Sequence, residues 1–321
     1  MRQKTTRAQR QQIRCLGGPL KTVRDKTRQL YDFSLQLYLV WATMEESWPL
    51  SNEELDASCS RFLLHCWQEG ETRATVANIL SCIGDREPSL RWHLSGTRRL
   101  HRTWIKRELG VRCCALYWSM TEALAGLFLH WGWLHEALMA LLMHHCLLRT
   151  MEGLNARRGD FMLQGLLMKG HLSLPDTKTS ARHGRGESVS ITDPQVMQLL
   201  LPIAEPLLPG EKLYPHSAAV FRKRLQQAVA ALGWEALDVQ AYSFRRGGAT
   251  ELFRQTNSMQ AVAFRGRWSN FQTAKIYTDS ALADRAQMLV PTRQLQEAAR
   301  MKLRDVLSQM RLTEGRQAID G

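Results

Sequence analysis

Tyr242-Ser243-Phe244-Arg245-Arg246-Gly247-Gly248, then Gly266-Arg267-Trp268-Ser269, then Thr273-Ala274-Lys275-Ile276-Tyr277 make up the stretch that decides how this 321-residue chain is read. Ser243 predicts the N-cap of a helix running to about Gln255, with Phe244, Leu252 and Phe253 as its apolar positions. Gly247 and Gly248 weaken that helix but let another backbone come close. Asn257-Ser258 is a turn and cap signal, and a short helix follows to about Arg265. Ser269 with Gln272 fits the S-x-x-Q capping box, which starts a third helix carrying Tyr277 near its end. Arg245, Trp268 and Tyr277 therefore sit on successive short helices that can converge on one cleft. Two arginines, an indole and a phenol form a set able to bind a phosphate and attack it.

This stretch resembles the C-terminal signature of the tyrosine recombinases, the phage-integrase family. That signature is His-x-x-Arg, a Gly-x-His/Trp turn, and a nucleophilic Tyr nine positions after the His or Trp. Here Tyr277 stands nine positions after Trp268. The wording Ser-Phe-Arg-Arg-Gly-Gly-Ala-Thr-Glu and Gly-Arg-Trp-Ser looks most like eukaryotic and mobile-element members, Crypton-like and DIRS-like. The chain departs from the pattern at Tyr242, where the family usually has His. The resemblance implies a mostly α fold with a small three-stranded antiparallel sheet. A basic flexible arm (1–20) would precede a helical SAM-like core-binding domain (21–110). A tyrosine-recombinase catalytic domain with a C-terminal helical tail (115–321) would follow.

Composition agrees with a polyanionic partner. Lys and Arg number 43 against 30 Asp and Glu, a net charge of +13. An excess of that size fits nucleic acid before membrane, and it also fits a merely basic soluble protein. The 7 Cys form no C-x-x-C pair, which reads as reduced, intracellular thiols. No signal peptide opens the chain, and the apolar stretch Met120–Leu148 contains Glu122 and Glu136, so it reads as buried helices. An intracellular protein is expected, in the nucleus of a eukaryote or the cytoplasm or nucleoid of a bacterium. His144-His145-Cys146 are consecutive on a helix and point in different directions, so they read as core or surface residues and not as a metal site. No cofactor is expected.

Taken in order, residues 1–20 carry Arg2, Lys4, Arg7, Arg10 and Arg14. They form an arm that touches DNA phosphate, serves as a nuclear address, or is simply a solvated tail. Leu30, Phe33, Leu37 and Trp41 recur at helix spacing. Ser51 and Glu54 make a second capping box, and Leu55, Phe62, Leu63 and Trp67 predict the inward face of the next helix. A helix from Thr72 to about Ile83 follows. Pro88 then opens a last helix with Leu90, Leu94, Leu100 and Trp104, and with Arg91, Arg98, Arg99, Arg102 and Lys106 as a candidate DNA face. The hinge between domains falls near Glu108–Ala115.

Two apolar helices, Ser119–Leu134 and His135–Leu148, lead into Arg149, which matches the family's first catalytic arginine, with Glu152 three positions on. Three strands are predicted at Phe161–Leu167, His171–Leu174 and Glu187–Ile191. The hairpin before the last strand holds Lys178, which matches the family's catalytic lysine. Pro194 opens a helix to Leu201, and Ser217–Leu232 is a basic helix with Arg222, Lys223 and Arg224 facing the DNA backbone. Arg246 joins that set. Arg293–Arg311 is helical, docking on its own domain or on a neighbouring protomer.

The resemblance implies roles. Arg149 and Arg245 clamp the non-bridging oxygens of a phosphodiester, Trp268 supports the cleft, Tyr277 attacks, Lys178 protonates the leaving oxygen, and Tyr242 fills the usual His position. The partners implied are double-stranded DNA and further copies of the chain, a tetramer in the synaptic complex. The other reading of the same residues is a catalytically impaired relative that binds DNA as an architectural or regulatory protein.

Overall fold

Residues 6–8, 11–12, 23–108, 110, 113–175, 186–275, 278, 284, 288 and 293–317 are described by a computed structural model of the chain. They are mostly helical, with one small antiparallel sheet of three strands. The chain divides into two units, 1–111 and 112–321.

In the first unit, α1 (Asp25–Met44), α2 (Asn52–Gln68), α3 (Arg73–Arg86) and α4 (Ser95–Arg107) enclose one core. The buried side of α1 is Ser34, Tyr38 and Ala42, with Leu35, Leu39 and Trp41 packed beside them. Tyr38 donates to Ser58 Oγ at 2.8 Å and meets the Phe62 ring edge-on. Leu30, Phe33 and Leu37 lie on the opposite, exposed side. Both faces of α1 carry apolar residues at helical spacing, so periodicity alone does not tell which is inward. At the start of α2, Ser51 Oγ accepts the Glu54 N–H (3.2 Å) as expected, while the Glu54 carboxylate takes the N–H of Leu50, one residue before the cap. Phe62 and Leu63 are buried; Trp67 is partly exposed and meets Trp104 edge-on.

The single helix expected from Pro88 is two pieces, a 3-10 turn at Pro88–Trp92 and then α4. Asp56 explains the break. Its carboxylate reaches across from α2 and accepts the Gly96 and Thr97 N–H groups at 2.8 and 2.9 Å, capping α4 from outside its own sequence. Thr97 and Trp104 point inward; Arg91, Arg99, Arg102 and Lys106 are exposed and Arg98 is half-buried.

In the second unit, α5 (Trp118–His130) and α6 (Leu134–His145) are apolar around most of their circumference and form its centre. After α7 (Thr150–Asn155) come β1 (Phe161–Gln164), β2 (Lys169–Leu174) and β3 (Glu187–Ile191) in the order β1-β2-β3. Phe161, Leu172 and Val189 stand in register across the sheet and are all buried. α8 (Pro194–Ala204) is capped by Asp193, whose side chain accepts the Val196 N–H, and it runs on through Pro202. α9 (Ala218–Ala231) is capped by Ser217 in the same way.

α10 (Ser243–Thr256) begins at Ser243 and not after it. The Ser243 hydroxyl accepts the Gln240 N–H at 3.0 Å, so it caps the preceding turn. The two glycines of α10 do what their lack of Cβ suggests. A Cβ on Gly247 would stand 1.7 Å from the Leu116 carbonyl oxygen, and one on Gly248 2.1 Å from that of His144. α11 (Met259–Gly266) is capped by Ser258. In α12 (Phe271–Lys275) the cap is Asn270, which accepts the Gln272 N–H at 2.8 Å, and not Ser269. α13 (Arg293–Gln317) docks on α5 of the same chain, with Ala299, Leu303 and Leu307 buried and Arg300 bonded to Glu122 at 2.8 Å. Among the described residues, no helix is long and apolar enough to cross a membrane.

Candidate active site

The C-terminal end of α11 sets the geometry. Trp268 N–H donates back to the Ala263 carbonyl (2.9 Å) and Arg267 N–H to that of Phe264 (3.2 Å), the paired closure of a Schellman turn. The residue between these bonds must be left-handed, and Arg267 is, at φ 59°. Gly266 is needed for a different reason. A Cβ there would lie 1.9 Å from the Trp268 ring, because the indole folds back over it. The ring then covers the Arg245 guanidinium, 4.5 Å from its centroid. Arg245 Nη2 donates to the Gly266 carbonyl at 2.7 Å and Nη1 to that of Leu147. The turn, the indole and the arginine of α10 are one interlocked group.

Arg149 joins that group through Glu152. It sits at the N-cap of α7, where its N–H and its guanidinium both bond the Glu152 carboxylate. The same carboxylate accepts Arg267 Nη2 at 2.7 Å and lies 3.9 Å from Arg245. Arg267 Nε also reaches Glu187, at the start of β3, at 3.3 Å. Among the described residues, three guanidinium groups thus gather about two carboxylates in a largely dry setting. Arg245 is 0% exposed. Burial, and then the neighbouring Arg267 and Arg149, bring its pKa down to about 10, against the opposing pull of Tyr242 and Glu152. It remains charged at neutral pH but is under-compensated. Burial also works against Arg149, yet Glu152 outweighs it and the pKa lies above the ordinary value. Burial would raise Glu152, but Arg267 and Arg149 hold it below the usual carboxylate range.

Tyr242 is the residue before α10, half-exposed and within electrostatic reach of both Arg149 and Arg245. Arg149, Tyr242, Arg245 and Trp268 are therefore brought together. Lys178 and Tyr277 lie outside the described residues. Among the basic residues of the expected DNA face, Arg222 and Lys223 are exposed on α9. Arg224 is bonded to the buried Glu136 at 2.6 Å and lies over Trp133. Arg246 is buried, 3% exposed. Sequence reasoning passes over Arg267 as a site residue because it occupies the variable position of Gly-x-Trp. The signal was a long cation where a left-handed turn would ordinarily select Gly or Asn.

At the C-terminal end of α6, His144 is buried and His145 half-buried. His144 Nε2–H donates to the Leu116 carbonyl at 3.0 Å, and His145 Nε2 accepts the Thr192 N–H at 3.1 Å. Burial takes the first imidazole down to about 4. Burial and Arg265 take the second down to about 3. Both folded values lie below that of a free histidine, so the unfolded chain binds these protons first. The stability they carry is complete above about pH 6.5 and is lost as pH falls toward 4. The expected loss is about 1.4 kcal/mol per pH unit for each histidine, or roughly 3 kcal/mol in all between pH 7.5 and 5.5. Urea midpoints across that range measure it, and His145→Gln should halve the slope.

No protein-family model matches the chain, and no curated protein matches it. Solved structures do. The chain is similar to the XerH site-specific recombinase bound to palindromic difH substrate in a post-cleavage complex, at 15% identity and a TM-score of 0.53, over 82% of this chain and 79% of that one. It is also similar to the Tn1549 transposon integrase in complex with transposon right end DNA, at 12% identity and a TM-score of 0.55, over 87% of this chain and 96% of that one. At such identities the likeness is one of fold alone.

Proposed function

We propose that this chain, carrying that fold, is a site-specific DNA recombinase that cuts and rejoins duplex DNA through a covalent 3′-phosphotyrosyl link on Tyr277. The observation that carries the proposal is the cluster of Arg149, Arg245 and Arg267 about Glu152, with the Trp268 ring over Arg245. A phosphodiester is the anion that such a cluster of guanidinium groups suits. Arg149, at the edge of the group, donates to the non-bridging oxygens directly. Arg245 works from beneath, since both its Nη atoms are held by carbonyls; its charge acts through a medium of low dielectric. The Tyr277 phenol gives its proton up to solvent as its oxygen attacks phosphorus, the bond to the 5′ oxygen breaks, and Lys178 gives that oxygen its own proton. The phosphate ester so formed conserves the bond energy for rejoining. The wording of Ser243–Glu251 and Gly266–Ser269 points to the DNA of a mobile element as substrate. The exposed Arg91, Arg99, Arg102, Lys106, Arg222 and Lys223 are the proposed contacts to its backbone.

The test is a suicide duplex, nicked so that the cleaved strand cannot be rejoined, built from DNA flanking the gene. A covalent complex should accumulate with the natural chain and none with Tyr277→Phe, while both retain the duplex in a binding assay. Duplex retention with no adduct from any flanking sequence would support the architectural reading instead.

Tyr242 gives a finer expectation. It replaces the family's usual His and can donate a hydrogen bond, but a phenol is a poorer proton acceptor than an imidazole. Acid–base help is typically worth ~10²–10⁴-fold. Tyr242→His should therefore preserve or raise single-turnover cleavage, and Tyr242→Phe should lower it. Loss of activity in Tyr242→His beside a fast natural enzyme would give Tyr242 a role of its own.

A further inference from the structure

Among the described residues of the first unit, the outer face of α1 has no partner. Leu30, Phe33, Leu37, Val40 and Met44 follow one another at alternate spacings of three and four, and their exposure runs from 39% at Leu37 to 78% at Met44. That is the seam of a helix that pairs with another helix. The rest of this face is Gln29, Gln36 and Thr43, and no charged residue occurs in α1 between Asp32 and Glu45. On a chain with charge at 23% of its residues, an uncharged stripe four turns long is unusual.

We infer that two copies of this chain associate through the outer faces of α1, packed antiparallel. The direction follows from the charges at the two ends. At the N-terminal end the exposed Arg24 and Lys26 outnumber the exposed Asp25 between them, a net positive end, and Glu45 and Glu46 are exposed just past the C-terminal end. Antiparallel pairing sets the basic end of one copy against the acidic end of the other and opposes the two helix dipoles; parallel pairing sets like against like. Leu37, midway along the stripe, then meets its counterpart near the two-fold axis. Such a pairing is isologous, so it closes at a dimer and does not propagate. The basic segment 1–22 is a poorer occupant, because the stripe offers its arginines no carboxylate. This inference rests on α1 alone and needs neither DNA nor cleavage.

Sedimentation of the full chain without DNA tests it. One helix pair is a small interface, so half-dimerisation is expected at about 10 μM. Leu37→Lys should stay monomeric at about 100 μM, the concentration expected to make most of the natural chain dimeric. Its circular dichroism should be unchanged, since Leu37 supports no core. With a short bismaleimide, Leu30→Cys mixed with Met44→Cys should cross-link between the two variants, with neither cross-linking efficiently to itself. A natural chain that is monomeric at about 100 μM, or a Leu37→Lys variant that dimerises as well as the natural chain, overturns the inference. So does a dimer that appears only after residues 1–22 are removed, since the arm would then be the occupant. Self-linking of each variant overturns the antiparallel arrangement.

Discussion

Replacing Arg149 with alanine is expected to slow strand cleavage by about 10²–10³-fold while the protein keeps its fold. The two halves of that expectation have separate causes. Arg149 is the accessible member of the arginine group, with a side chain 26% exposed, so its loss removes a donor from the charge that develops on the phosphate. Its loss does not strand Glu152, which still holds Arg267 at 2.7 Å. Arg245→Ala should behave differently. It would leave the Gly266 carbonyl without its guanidinium donor, at about 1–3 kcal/mol, leave the Leu147 carbonyl to Arg267 alone (3.2 Å), and open a cavity beneath Trp268. Arg245→Ala should therefore lose stability together with activity, and Arg149→Ala activity alone. Single-turnover cleavage and urea denaturation of the two variants separate these outcomes. Equal destabilisation by both would mean that Arg149 is a structural member of the cluster.

Gly247→Ala is expected to destabilise the second unit by about 4 kcal/mol or more, a large share of the roughly 5–15 kcal/mol that holds an ordinary domain folded. In an open helix the same change would stabilise by about 1 kcal/mol, because alanine is the better helix former. Here the sign is reversed by contact. The added methyl would meet the Leu116 carbonyl oxygen at 1.7 Å, and the Leu116 nitrogen is only 2.8 Å away. The obstacle is backbone on both sides, so no rotamer change relieves it. Leu116 N–H also bonds the Ser243 carbonyl, so pushing the segment away breaks the tie between it and α10. Soluble yield and thermal unfolding measure the effect; a variant as stable as the natural chain would show that α10 can shift away from residues 113–117.

These two glycines show what the sequence makes legible. Gly247-Gly248 inside a helical pattern says that a backbone comes close, without saying which one. Gly266-Arg267-Trp268 announces a turn and an indole by spacing alone. It does not announce that Arg267 ties two carboxylates together, because that depends on Glu152 and Glu187 arriving from α7 and β3. The capping of α4 by Asp56 is hidden for the same reason, since the donors and the acceptor are 40 residues apart. On α1 the difficulty is of another kind. Tyr38 and Ala42 on one side and Leu30, Phe33 and Leu37 on the other both keep helical period, and only the neighbouring helices decide which set is buried. Arg224 and Arg246 read from sequence as surface cations; the acid that holds one and the packing that encloses the other come from elements distant in the chain.

The most direct measurement is the identity of the residue bound to DNA. A suicide duplex trapped by the natural chain is digested with protease and nuclease, and the peptide carrying the residual nucleotide is sequenced by mass spectrometry. The expected peptide spans Trp268 to Tyr277, with the phosphate on the Tyr277 oxygen. A nucleotide on any other residue, Tyr242 included, or unlinked peptides from a duplex that is cleaved in the same assay, would contradict the proposed chemistry.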